Sequence, residues 1–270
     1  MSSNVLESNV ESLLVSALEG VDGTVYLVNP DAETFEALVD GLDESDDVSV
    51  RLFGDERMLK DVLDDFIVGS TAADLMDAGR LELRALDEPS NTLLVTSECV
   101  MAIVDTGSEV AGLATDDTDF VDSANEQYAA AWEDAEQFNL RTPAISRVRQ
   151  SLSDDIGSDV AEDFDTVLAS METARGDGEG LDEVTISLLV AAKNEELLYD
   201  ISKWGEDVGI ASKATFSRTK TRLEELGLID TEKVPIDVGR PRLRLVLGDD
   251  RLRGADNGEL ANVAQSLMAS

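Results

Sequence analysis

The sequence predicts two fold classes in one chain: an α/β N-terminal domain built on a mixed sheet, and a small C-terminal domain of three helices closed by a β-hairpin. Three observations predict this. Residues 24–79 alternate short apolar runs with helical stripes, residues 81–114 place four strand-like runs in quick succession, and residues 181–247 read as three helices followed by two strands. The expected organisation is an α/β domain over 1–140, a helical connector and Gly-rich linker over 141–180, the helix–hairpin domain over 181–248, and a C-terminal tail over 249–270.

Taken in order, Val5, Val10, Leu13, Leu14, Ala17 and Leu18 fall at helical spacing over residues 5–18, ended by Gly20 and Gly23. Thr24–Val28, before Asn29-Pro30, reads as a strand buried on both faces. Phe35, Leu38, Val39 and Leu42 mark a helix, and residues 48–53 the next strand. Leu59, Val62, Leu63, Phe66 and Ile67 form one further stripe, with Ser70 as the cap of a short helix ending at Gly79. This alternation predicts parallel strands. The runs 81–86, 93–96, 100–104 and 110–114 then predict antiparallel hairpins added to the same sheet. A helix carrying Tyr128, Trp132, Ala135 and Phe138 closes the domain near residue 140.

Residues 143–175 read as helical, interrupted around 154–158. The stripe Val160, Phe164, Val167, Leu168 and Met171 suits a partner helix, either on the first domain or in a second copy. Gly176-Asp177-Gly178-Glu179-Gly180 reads as a flexible linker.

Composition excludes many chemistries. The 270 residues contain no His, which removes Ser-His-Asp and Cys-His catalysis, His-ligated zinc and haem, and HKD-type phospholipase or nuclease centres. The single cysteine, Cys99, forms no intrachain disulfide and is expected as a buried thiol in an apolar run. Asp116-Asp117-Thr118-Asp119 lacks the spacing of a calcium loop and reads as a solvated acidic turn. With no nucleophile motif or phosphate-binding Gly loop, neither enzymatic activity nor a cofactor is expected. The N-terminus lacks the features of a signal peptide, and no apolar run approaches a membrane span, so the expected location is the cytoplasm.

The charge is informative in two ways. There are 58 Asp and Glu against 21 Lys and Arg, a net charge of −37, and the bases comprise 15 Arg and only 6 Lys. Such acid-rich, Lys-poor surfaces suit multimolar salt, where a Debye length of about 3 Å screens self-repulsion. The pattern reads as the signature of an extreme halophile. Mimicry of nucleic acid explains it less well, because the excess is spread over most of the chain. Residues 193–253 are the exception, with 12 bases and 12 acids, and residues 211–222 carry four bases and no acid. A basic island in an acidic chain is the footprint of a nucleic-acid contact.

That island falls on a helix. Residues 181–192 and 195–207 form two inward-facing helical patterns, and Val208-Gly209-Ile210-Ala211 a turn with a glycine suited to positive φ. Ser212 is a good N-cap for a third helix whose Phe216, Leu223 and Leu226 face inward. Its opposite face presents Ala214, Ser217, Arg218 and Thr221, with Lys213 in the first turn. Small residues beside long bases let a helix lie close in a major groove. Residues 228–234 and 242–247 form a hairpin, with Arg240 at its tip and Arg242 just inside. The whole is a winged helix-turn-helix.

The run IASKATFSRTKTRLEELGLI over residues 210–229, with its basic wing, resembles winged-helix transcription regulators. Together with the acidic α/β half, the chain is similar to the TbsP-like transcription regulators of haloarchaea, related in architecture to the TrmB family. The resemblance implies that Lys213, Thr215, Ser217, Arg218 and Thr221 on the third helix, and Arg240 and Arg242 on the wing, contact double-stranded DNA, and Ser212 and Arg222 of the same helix are expected to join them. It also implies that the α/β half resembles a phospholipase-D-like module that senses a sugar or other metabolite without catalysing a reaction. The expected function is a sequence-specific, effector-responsive regulator of metabolic genes, acting as a homodimer. The alternative is an adaptor that uses its winged helix to dock a protein partner.

Overall fold

A computed structural model describes residues 4–21, 23–43, 48–85, 91–175, 181–235 and 241–269. The chain divides into two compact units, residues 1–64 with 71–140, and residues 65–70 with 141–270. The Gly-rich run 176–180 and the wing tip with Arg240 lie outside the described residues.

The first unit contains β1 (Val5–Glu7), α1 (Val10–Leu18), β2 (Thr24–Val28), α2 (Ala32–Asp43), β3 (Ser49–Gly54) and α3 (Glu56–Leu63). It continues with most of α4 (Phe66–Asp77), then β4 (Leu81–Ala85), β5 (Leu93–Val95), β6 (Val100–Asp105), β7 (Val110–Thr115) and α5 (Thr118–Asp134). The seven strands form one mixed sheet in the order β1-β7-β6-β5-β2-β3-β4. Strands β2, β3 and β4 are parallel, as the strand–helix alternation predicts, and the remaining pairs are antiparallel. Central β2 buries Val25 through Val28, consistent with its unbroken apolar run.

Both faces of the sheet gain cover locally. On one, Leu13 of α1 packs beside Met101 over Gly112, where a Cβ would lie 2.5 Å from the Met101 sulfur. On the other, α5 lays Trp132 edge-on against Phe53, with ring centroids 5.0 Å apart, and against Tyr26. The Arg84 guanidinium stacks 4.7 Å from the Trp132 ring and donates to the Trp132 carbonyl. Asp117, from the acidic run before α5, accepts from the Phe120 N–H as the helix N-cap.

Three sequence expectations change here. The helix expected over residues 5–18 is a strand and a helix, because extended Asn9 accepts from the Ser12 N–H at 2.9 Å and starts α1 afresh. Val5 instead pairs with Gly112 at the sheet edge. The stripe over residues 59–67 is likewise two helices, since buried Asp65 accepts from the Ile67 N–H at 2.9 Å; Ser70 lies within the second helix, not at its cap. Cys99 is half-buried, in a turn where the Thr96 hydroxyl oxygen accepts its N–H at 3.0 Å.

The second unit contains α6 (Ile145–Asp155), α7 (Ser158–Ala169), α8 (Glu183–Lys193), α9 (Leu198–Val208) and α10 (Lys213–Glu225). The hairpin β8 (Ile229–Val234) and β9 (Arg242–Leu247) follows, and then α11 (Asp250–Gly254) and α12 (Asn257–Met268). All share one core, in which Val148, Leu152, Phe164 and Val167 meet Leu188, Ile201, Trp204, Phe216 and Leu260. The stripe of α7 is therefore consumed inside this unit, which removes the basis for reading it as a surface for self-association. Residues 249–270, expected as a tail, supply two of the helices. Asp163 of α7 fixes this arrangement by accepting from Asn194 at 2.8 Å and from Asn257 of α12. Similarly, the Trp204 indole N–H donates to Ser151 of α6 at 3.0 Å.

Candidate nucleic-acid interface

Helices α9 and α10 meet at one close approach. Gly205 of α9 lies against the Phe216 ring of α10, and a Cβ on Gly205 would fall 2.3 Å from two ring carbons. Only a glycine allows this crossing. Gly209, with φ of +98°, then closes α9 in the left-handed region, and the N–H groups of Gly209 and Ile210 both bond the Gly205 carbonyl. The turn delivers Ser212 to the start of α10, where its hydroxyl accepts from the Thr215 N–H.

Phe216 and Leu223 are buried as the spacing predicts, but Leu226 is 41% exposed. The helix ends at Glu225, so Leu226 sits on its C-cap and leaves the inward stripe. The exposed half of α10 carries Lys213, Ser217 and Thr221 in one i,i+4 row and Ala214, Arg218 and Arg222 in the next. Lys220, the fourth base of the island, turns inward and pairs with Glu224 at 2.8 Å. Thus three of the four bases face outward.

Their surroundings are more structured than sequence reasoning anticipated. Glu206 of α9 accepts from both the Lys213 Nζ at 2.7 Å and the Lys213 backbone N–H at 3.3 Å. The hydrogen bond to the ammonium holds the Glu206 carboxyl below its ordinary range, and the same bond raises the Lys213 pKa. Arg218 reaches back to the Thr215 hydroxyl at 3.3 Å, and Thr215 in turn lies 3.0 Å from the Ser212 hydroxyl. Ser212 and Thr215 therefore form the cap that holds the first turn. The Thr221 hydroxyl donates to the Ser217 carbonyl one turn earlier.

At the wing, the Arg242 guanidinium lies over the Tyr199 ring, 4.8 Å from its centroid, and pairs with Asp200 at 3.4 Å. Arg244 pairs with Glu195 at 3.7 Å, beside an isolated antiparallel β-bridge between Leu197 and Arg244. Sequence reasoning missed Glu206, Asp200 and Tyr199. In a chain with 58 acids, one carboxylate seven residues from a lysine carries no pattern. The signal available was that the acids in α9 precede the bases in α10.

Among the described residues, no group of His, Cys, Asp and Glu is arranged to hold a metal ion, and no helix is long and apolar enough to cross a membrane.

A family model described as the N-terminal part of the TbsP-like transcriptional regulators matches residues 2–143. A second, described as their C-terminal HTH domain, matches residues 144–265. Among solved structures, the chain is similar to TrmBL2, described as an archaeal chromatin protein with a novel mode of DNA binding. That likeness has 20% identity and a TM-score of 0.38, covering 51% of this chain and 54% of that one. A second likeness, to NucT from Helicobacter pylori, has 13% identity and a TM-score of 0.36, covering 51% of this chain and 100% of that one. No curated protein matches the sequence.

Proposed function

Because the chain belongs to the TbsP-like transcriptional regulators through both of its halves, we propose that it is a sequence-specific DNA-binding regulator that reads the major groove with α10. The observation that carries this reading is the exposed half of α10, where Lys213, Arg218 and Arg222 stand among Ala214, Ser217 and Thr221. No acid stands between residues 211 and 222 in a chain of net charge −37. Arg218, on the exposed half between the other two, reaches guanine edges, while Lys213 and Arg222 meet phosphates. Ser212 and Thr215 set the helix start, whose N–H groups favour phosphate. Arg242 and Arg240 contact the backbone beside the groove.

The acidic remainder of the surface fits a cytoplasmic protein of a haloarchaeon working in multimolar salt. Counterion release drives binding weakly under those conditions, so close-fitting base contacts carry the specificity. The α/β unit is the sensor. Between α1 and α2 it holds a cavity of about 610 Å3 lined by Leu14, Val15, Leu18, Leu38, Gly41 and Leu42. This lining suits an apolar or amphipathic metabolite better than a sugar. Such a ligand should raise the melting temperature of the wild type but not of Gly41→Phe, and equal shifts would reject the assignment. The regulator acts as a homodimer on two half-sites.

The test is selection from a randomised duplex library in molar potassium chloride. Enrichment of one site supports the regulator reading, and recovery of the starting pool rejects it in favour of a protein-docking winged helix.

A further inference from the structure

One face of the sheet of the first unit is left bare by its own helices at the β1–β7–β6 end. Antiparallel pairing puts Leu6 opposite Ala111, Val104 opposite Ala111, and Leu113 opposite Ala102, so these side chains share a face. The same pairing continues through Leu93 to the face that α5 covers with Tyr128 and Trp132. The cover stops short of the β1–β7–β6 end. Leu6 is 62% exposed, Leu113 48% and Val104 42%, and Phe120 in the first turn of α5 is 54% exposed.

These four side chains expose on the order of 400 Å2 of apolar surface, within the range of the largest patch on a soluble monomer, which is often functional. The strand part of the patch is also free of charge. On that face, β1, β6 and β7 carry Leu6, Val100, Ala102, Val104, Ala111, Leu113 and Thr115, without one acid or base, in a chain where 58 residues are acidic. Asp105, Glu7 and Glu109 stand in the same strands or their turn, but the first two point to the opposite face. Elsewhere on this surface, an approaching acidic molecule meets carboxylates.

We propose that this bare sheet face is a two-fold interface between two copies of the chain. A second copy brings the same uncharged strands, so the two meet neutral to neutral at the centre, and the acids around Phe120 and Glu109 fall at the rim. Doubled by its own symmetry mate and completed by a polar rim, a patch of about 400 Å2 per copy gives the apolar centre of a standard interface of about 800 Å2 per partner. Multimolar salt strengthens apolar burial and screens the residual repulsion. The inference rests on the dimeric part of the proposed function and is independent of DNA binding.

Analytical ultracentrifugation of the full chain without DNA, in 2–3 M potassium chloride, tests it. The wild type is expected to sediment at twice its 29.0 kDa, and Leu113→Asp and Leu6→Asp, each at an exposed position, as folded monomers. A monomeric wild type at tens of micromolar overturns the proposal. So does a dimer that persists in both variants with native circular dichroism. Should Leu113→Asp fail to fold, Leu6→Asp and the wild-type mass still decide. Enrichment of a DNA site by a monomeric wild type would reject this interface and leave the DNA-binding reading standing.

Discussion

Glu206 on α9 grips Lys213 on α10 twice, through the ammonium at 2.7 Å and the backbone N–H at 3.3 Å. A carboxylate thus occupies the anion position at the start of the helix that we assign to DNA. A phosphate arriving there must displace it. Both groups are exposed, and exchanging one exposed ion pair for another costs little. Glu206→Gln should therefore tighten duplex binding several-fold at moderate salt. The gain should shrink as potassium chloride approaches molar concentrations, where screening has already loosened the pair. Fluorescence anisotropy across a salt series measures both effects; weaker binding by Glu206→Gln would show that Glu206 positions Lys213 and does not compete with DNA.

Ser212 separates capping from contact. Its hydroxyl accepts from the Thr215 N–H, so Ser212→Ala should cost about 1 kcal/mol of stability. Ser212→Asp retains a good cap but sets a second negative charge at the helix start. Its melting temperature should stay near that of wild type while DNA binding weakens at least tenfold. Unchanged binding by Ser212→Asp would remove the α10 N-terminus from the interface.

Two glycines should respond in opposite directions to alanine. At Gly205 a Cβ would lie 2.3 Å from the Phe216 ring, within a packed crossing of α9 and α10. Gly205→Ala should lower stability by about 1–3 kcal/mol. Gly41, inside α2, has nothing within 4 Å of such a Cβ. Gly41→Ala should raise stability by about 0.5–1 kcal/mol through the helix propensity alone. Denaturant titrations in high salt compare the two, and a neutral Gly205→Ala would contradict the crossing geometry.

Cys99 should be a sluggish nucleophile. Desolvation by burial pushes its thiol pKa up, and the nearby Asp116 charge adds to the shift. A raised pKa leaves less thiolate at neutral pH, so alkylation should be slower than for a free thiol at pH 7–8. The rate should keep rising with pH beyond the range where free cysteine levels off. Iodoacetamide labelling followed by mass spectrometry gives the profile; a rate equal to that of free cysteine would place the thiol in open solvent.

Much of this architecture is legible in the sequence because burial imposes periodicity. The apolar run of β2, the stripe of α2 and the Gly209 turn with its Ser212 cap all announce themselves locally. The departures arise where a polar side chain overrides the period. Asn9 restarts the chain as α1, and Asp65 splits one apparent stripe into two helices. The α7 stripe shows a different limit. Its periodicity marks burial, but spacing alone does not name the partner, which is the winged-helix core itself. Within the candidate interface, composition exposes the basic island, yet only three dimensions show Lys220 turned inward toward Glu224 and Lys213 held by Glu206.

The most direct test compares wild type and Arg218→Ala on a selected site and a scrambled duplex, in molar potassium chloride. The wild type should prefer the selected site by about a thousandfold or more. Arg218→Ala should lose roughly ten- to a hundredfold on that site and little on the scrambled one. Equal wild-type affinity for both duplexes, or wild-type affinity of Arg218→Ala for the selected site, would contradict recognition through α10.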